Sequence, residues 1–379
     1  MPTAAGPNTK GEENLVFAYD LGDVSNSYKG EPTTNFIAEL GDPTQEITRG
    51  EFGQYYNLVD IFETHGLVPY TLSMDIKGNI PGSCLVYMQN SSYTKYAFPL
   101  GSVNITTEWQ RFFFRNRTPS GPTSAWQTNT PNDNRAMLAT YTGYGSGRNP
   151  TVRNMQLELG AHETPFTAGT RSATQGLLDL TGNSTIDLTN VSFDSSAQMT
   201  FDGTDDRATV ADPGYPSSGT DPFTLEIIYK VPTGATWYVN GSGTALIGRG
   251  SYQGSIGIFR ASTEGNVKFW IRLDGGNIYD PGVTGLSRDD YHHIVGTFDG
   301  VDTAKIYHNG VFIAQEVNAN NAGTFDAGGF NVGGGISFGG NFGGYGEGEV
   351  PVSKLYNRAL TASEIKSNFN AIKGRFNIL

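Results

Sequence analysis

Apolar and polar residues alternate with a period of two along several stretches of this chain. In YTLSMDIKG, Tyr70, Leu72, Met74 and Ile76 fall on one face, with Thr71, Ser73, Asp75 and Lys77 opposite. That is the pattern of a strand with one buried face. SCLVYM, TEWQRFFFRN around Trp109 and Phe113, and TVRNMQLELG from Thr151 extend the series. RTPSGPTSAWQTNTPNDNR, rich in Pro, Ser, Thr and Asn, reads as a loop between them. Residues 162–176, HETPFTAGTRSATQG, read as a linker, after which a second series begins. FTLEIIYKV puts Phe223, Leu225, Ile227, Tyr229 and Val231 in phase, and VKFWIRLDGG does the same with Val267, Phe269, Ile271 and Leu273. In residues 323–350, 12 of 28 are Gly, a density that predicts a long loop rather than regular strand. One helix is signalled. Thr361 and Glu364 have capping-box spacing, Ile365, Phe369 and Ile372 share a face, and Gly374 follows as a stop. The pattern predicts an all-β chain with one short C-terminal helix.

Composition sharpens this picture. A chain of 379 residues predicts two domains. Its 50 Gly and only 16% charged residues suit many short strands joined by tight turns. The net charge of −12, without a Lys/Arg cluster, argues against binding to nucleic acid or to anionic membranes. The lone Cys84 alternates with apolar residues in CLVYM, so it reads as a buried small hydrophobe and allows no intrachain disulfide. The first residues, MPTAAGPNTKGEENLVF, show no signal peptide, and no apolar run reaches membrane-span length. The expectation is a protein made in a cytoplasm that does not use the general secretory route.

Residues 291–310, YHHIVGTFDGVDTAKIYHNG, hold three of the five histidines: His292, His293 and His308. Adjacent strand residues point to opposite faces, so His292 and His293 cannot share one ion. One hairpin register sets His293 across from His308, and a shift by one sets His308 across from Ile294. Either supplies at most two ligands where zinc takes three or four. The stretch reads as a hairpin rather than a metal centre.

That hairpin, with FDGTDDRATV (201–210), ALIGRG (245–250) and VSKLYNRALTASEIKSNFNA (352–371), resembles the laminin-G-like, concanavalin A-like lectin/glucanase jelly rolls. Tyr291 stands where that family usually has Trp. VRNMQLELGAHETPFTAGTRS resembles the closing strand and tail of carbohydrate-binding-module-like jelly rolls of bacteriophage virion proteins. LVFAYDLGDVSNSYKGEPTTN (15–35) resembles the opening of phage laminin-G-like proteins, where it runs directly into a segment like LLDLTGN, which here appears only at 177–183. The resemblance implies two jelly-roll β-sandwich domains: an N-terminal arm and opening segment over 1–35, a carbohydrate-binding-module-like jelly roll over 36–170, and a laminin-G-like jelly roll over 171–379. It also implies that the first jelly roll is inserted near the start of the second, so that residues 15–34 contact the C-terminal domain.

The chemistry-bearing motifs are sparse. Glucanases on this fold carry an E-x-D-x-E strand that places carboxylates on one face, and no such triplet occurs. Glu347 and Glu349 are two apart but lack a third partner. There is no G-x-S-x-G elbow, no H-E-x-x-H and no phosphate loop. Asp202, Asp205 and Asp206 in FDGTDD are a candidate calcium site, against the competing reading of a turn made by Asp and Gly. Exposed aromatic rings stack on apolar sugar faces. Trp126, Tyr141 and Tyr144, in or near polar loops, and Trp237 with Tyr238 in GATWYVNGSG, are the candidate glycan-binding residues. Trp109 and Trp270 read as core.

These features lead to a non-enzymatic virion structural protein, a capsid decoration or a tail or head fibre component. Its expected partners are other virion proteins, further copies of itself and a host-surface glycan. The competing expectations are a glycan-degrading depolymerase or glycosidase and a bacterial glycan-binding adhesin.

Overall fold

The computed structural model describes residues 13–89, 96–119, 136–189, 191–193, 198–237, 244–250, 253–275, 278–318, 322–332 and 345–378. The chain divides into two compact units, one of residues 32–172 and one of residues 1–31 with 173–379. No helix among the described residues is long and apolar enough to cross a membrane.

In residues 32–172, two four-stranded antiparallel sheets enclose one core. The first has the order Ile47–Thr48, Pro150–Leu159, Tyr70–Gly78, Gln110–Arg117, and the second Phe52–Asn57, Met137–Tyr141, Gly82–Gln89, Tyr96–Ile105. Tyr70, Leu72, Met74 and Ile76 all enter the core, together with Cys84, Val86, Leu138, Val152 and Leu157. Part of the opposite face of the first sheet is covered as well. Gln156 and Glu158 are buried there and hold the chain after the last strand: Thr164 N–H donates to Glu158 Oε1 at 2.9 Å, and Thr167 N–H to Gln156 Oε1 at 2.7 Å. Thr170–Arg171 then pairs with Thr33–Thr34. Residues 162–171 are therefore packed structure rather than the linker their composition suggests. Two buried polar side chains, unfavourable without partners, bind the segment that covers them.

The other unit is a sandwich of two antiparallel sheets. One runs Ser192–Phe193, Met199–Asp202, Glu347–Tyr356, Phe223–Lys230, His292–Phe298, Thr303–His308, Val311–Val317. The facing sheet runs Ile186–Thr189, Arg207–Val210, Phe330–Val332, Thr244–Arg249, Ser255–Arg260, Val267–Arg272, Ile278–Tyr279. Phe223, Leu225, Ile227 and Tyr229 meet Val267, Phe269, Ile271 and Leu273 in the core between them. The opening strand Leu15–Asp20 pairs with the Val352–Tyr356 portion of Glu347–Tyr356, beyond the portion paired with Met199–Asp202. Phe17 and Tyr19 enter the same core, and Asp20 accepts two hydrogen bonds from the Arg375 guanidinium, at 2.9 and 2.7 Å. Residues from the start and end of the chain thus complete one sandwich.

The helix Ala362–Ile372 begins at Thr361 with a reciprocal capping box: the Thr361 side chain accepts from Glu364 N–H, and the Glu364 side chain accepts from Thr361 N–H. Its apolar stripe covers the outer face of the first sheet, where Phe369 and Ile372 pack with Ile228 and Val352, and Ile365 packs with Val295 and Tyr356. The sequence pattern predicts this helix, but not that it turns polar strand positions into an interior.

Candidate functional site

The most exposed large aromatic side chain described is Tyr144, at 83% exposure. It rides on the loop after Met137–Tyr141. Phe52 and Leu85 flank Tyr141 in register on the two neighbouring strands, which places three large apolar side chains side by side on one face. The Tyr144 ring meets Tyr141 edge-on at 5.4 Å, and its N–H donates to the Tyr141 hydroxyl at 3.3 Å.

The loop is held rather than draped. Glu51, from the neighbouring strand's approach, accepts Gly145 N–H at 2.7 Å and Gly147 N–H at 2.6 Å. These two bonds, Gly147 first, hold its carboxyl below the usual range. Gly145 and Gly147 have φ of +77° and +64°, the left-handed region in which a side chain is strained, so this tight path needs glycine. Thr142 Oγ1 donates to Arg148 C=O at 2.7 Å, and the Arg148 guanidinium donates to the Pro81 and Ser83 carbonyls. Glu51 is spent on holding the loop and Arg148 on tying it to residues 81–83. What the loop presents outward is an aromatic face fixed in position, which suits stacking on an uncharged ring at little ordering cost.

The other candidates are placed differently. Trp126 and Tyr238 lie outside the described residues. Trp237 is not a surface platform. It is 4% exposed, belongs to the core, and donates from Nε1 to Ala261 C=O at 3.2 Å. The Arg260 and Arg288 guanidinium groups lie near its ring, at 5.9 and 5.7 Å from the centroid. Burial of this large ring removes it from the candidate stacking surfaces. Trp109 is half-buried, with Arg153 and Lys77 over its ring at 4.0 and 4.5 Å. Arg and Lys stems commonly cover such a ring.

Asp202, Asp205 and Asp206 do converge, with one carboxylate oxygen of each within 4.8 Å of the others. Asp202 and Asp205 are exposed, whereas Asp206 is buried and accepts Asp202 N–H at 2.8 Å. Burial comes first in raising the Asp206 carboxyl. Three carboxylates supply part of the six to eight oxygens that calcium takes, and one of them already serves the turn. Glu347 and Glu349 are also committed: Glu347 accepts Thr236 N–H at 3.1 Å, and Glu349 pairs with Lys230 at 2.7 Å and with the Tyr291 hydroxyl.

In the hairpin, His308 stands opposite Ile294, so His292, not His293, shares its face. His292 Nε2 donates to Ser287 C=O at 2.9 Å, which leaves Nδ1 to accept from His308 Nε2 at 3.1 Å. Burial, then the neighbouring His292 and His293, push the His308 imidazole down to about 4. His293 faces the other way, onto Glu226 at 3.0 Å, beneath the C-terminal helix. Periodicity missed this second polar cluster of Glu226, His293, Lys354 and Asn368. Its only trace was Glu226 and Lys354 lying out of phase with the core positions, as any solvated face would.

The described strands form antiparallel β-sandwiches, one of which carries the Tyr144–Tyr141 ledge. Residues 202–366 match the family model described as Concanavalin A-like lectin/glucanases superfamily. No curated protein matches the chain. Among solved structures, the chain is similar to the binding domain of Paraclostridial Mosquitocidal Protein 1, at 17% identity and a TM-score of 0.40, covering 52% of this chain and 49% of that one. It is also similar to the receptor binding domain of botulinum neurotoxin D, at 10% and 0.43, covering 53% and 51%. A third is the binding domain of botulinum neurotoxin DC in complex with rat synaptotagmin II, at 14% and 0.42, covering 53% and 50%. The chain spans about half the length of each of these structures.

Proposed function

We propose that this chain is a non-enzymatic glycan-binding protein, and that the ledge of Tyr144 and Tyr141 is where it stacks on a sugar. The observation that carries the reading is Tyr144 itself, a large ring left 83% exposed on a loop whose backbone is clamped by Glu51. A ring left this exposed, with one edge against Tyr141, gains little from packing. Glu51 and Arg148, the charged groups named at the ledge, are both engaged in hydrogen bonds, which favours a neutral saccharide over an acidic one.

Within that function, the reading places the protein in a bacteriophage virion, as a capsid decoration or a tail or head fibre component that touches the host-surface glycan. The resemblance of VRNMQLELGAHETPFTAGTRS to phage jelly rolls supports this placement. Locating the chain in a virion density map tests it, and a particle without the protein would overturn it. Binding is tested separately, by a glycan array probed with purified protein and with the Tyr144→Ala variant.

A further inference from the structure

Beneath the C-terminal helix lies a cluster with the components of an amide-forming site. Glu226 and Lys354 stand directly opposite each other on neighbouring strands, fully buried and 2% exposed respectively. From the helix above, Asn368 donates through Nδ2 to Glu226 Oε2 at 2.9 Å and to the Tyr356 hydroxyl at 3.2 Å. Lys354 Nζ donates to the same Tyr356 hydroxyl at 3.5 Å. His293 Nε2 meets the other Glu226 oxygen at 3.0 Å. A lysine amine and a side-chain carboxamide therefore converge on one hydroxyl, with one carboxylate bonded to the carboxamide nitrogen. The surroundings are apolar: Val295, Tyr307, Leu360 and Ile365 pack around Tyr356, and Phe369 stacks on His293 at 5.7 Å.

We propose that Lys354 and Asn368 join covalently, forming an intramolecular amide that fastens the helix Ala362–Ile372 to the sheet. Lys354 passes one proton to Glu226 by way of the Tyr356 hydroxyl, which accepts from Nζ at 3.5 Å and donates to Glu226 Oε2 at 3.4 Å, leaving a neutral amine and a neutral acid. Nζ then attacks the Asn368 side-chain carbonyl carbon. The new C–N bond forms as the bond to Nδ2 breaks, Glu226 returns its proton to Nδ2 to give ammonia, and the proton shed by Nζ is carried off by that ammonia as ammonium. One primary amine and one primary amide give one secondary amide and one ammonia. No oxidant, metal or co-reactant is required. Exclusion of water protects the tetrahedral intermediate from hydrolysis, and Glu226 touches the leaving nitrogen directly and the attacking one through the Tyr356 hydroxyl.

The test is mass spectrometry of the purified full-length chain. The intact mass should be lower than the sequence mass by one ammonia, and tryptic digestion should yield a branched peptide joining the Lys354 and Asn368 segments. Lys354→Met and Glu226→Gln should each restore the full mass and abolish the branched peptide. Peptide mapping does not depend on the stability of a variant, so the wild-type chain alone decides the matter. A wild-type digest with unmodified Lys354 and Asn368 peptides, cleaved normally after Lys354, would overturn the proposal and leave the cluster as a hydrogen-bonded anchor.

Discussion

Asp20→Ala tests whether the opening strand is an integral part of the C-terminal sandwich. Asp20 is 1% exposed and accepts both terminal nitrogens of Arg375, at 2.9 and 2.7 Å, while its Oδ1 also accepts Gly22 N–H at 2.8 Å. Both side chains of this pair are largely shielded, at 9% exposure for Arg375 and 2% for Asp20. Removing one partner leaves a buried guanidinium without its counter-charge, at a cost of about 3–5 kcal/mol. For a unit of this size that lowers the melting midpoint by roughly 6–20 °C. The assay is thermal unfolding followed by calorimetry, where the transition of residues 32–172 serves as an internal reference. The double variant Asp20→Ala/Arg375→Met should recover much of the loss, because the uncompensated cation is then gone. A shift of under about 2 °C in the single variant would refute the reasoning, since it would mean that residues 15–20 contribute little to this sandwich.

Two further outcomes follow from the same sheet. The folded His308 takes up its proton at about 4, against 6.5 when unperturbed. Between those values the unfolded chain binds the proton and the folded chain does not, so stability is present above pH 6.5 and falls as pH drops towards 4. The ring is only half-buried, so solvent screening reduces the effect to about 1 kcal/mol. His308→Gln should flatten the melting midpoint across that window relative to wild type, and a parallel profile would contradict the assignment. The strand Val311–Val317 ends its sheet, and Val311, Phe312, Ile313 and Val317 are exposed at 42–55%. An apolar edge without a flanking Lys or Pro predicts self-association. Light scattering should show an oligomer that Ile313→Lys converts to monomer, and a wild-type monomer at high concentration would remove the prediction.

The strands were legible because one buried face imposes a period of two, and Tyr70, Leu72, Met74 and Ile76 sit in the core as that period requires. The second face was not legible. Ser73 and Thr71 look solvent-facing yet are fully buried, as are Glu226 and His293, and Lys354 is nearly so, because other segments cover these parts of the outer faces. Alternation reports which residues share a side, not whether that side is covered. Hairpin register was likewise out of reach, since a shift of one residue decides whether His292 or His293 meets His308. Tyr144 was legible in the sequence only as one of several aromatic residues in or near polar loops. The clamp by Glu51, 94 residues away along the chain and with no motif to announce it, was not. Trp237 misled because a Gly-rich neighbourhood marks flexibility of the chain and says nothing about burial of a ring.

The central claim is that a fixed aromatic ledge makes this protein a glycan binder, and a glycan array probed with the purified full-length chain tests it most directly. The account predicts retention on a set of neutral saccharides without their cleavage, with binding reduced at least tenfold by Tyr144→Ala, about 1.4 kcal/mol, as loss of one stacked ring implies. An array on which the wild-type protein retains nothing, or retains sugars equally well without Tyr144, would contradict it.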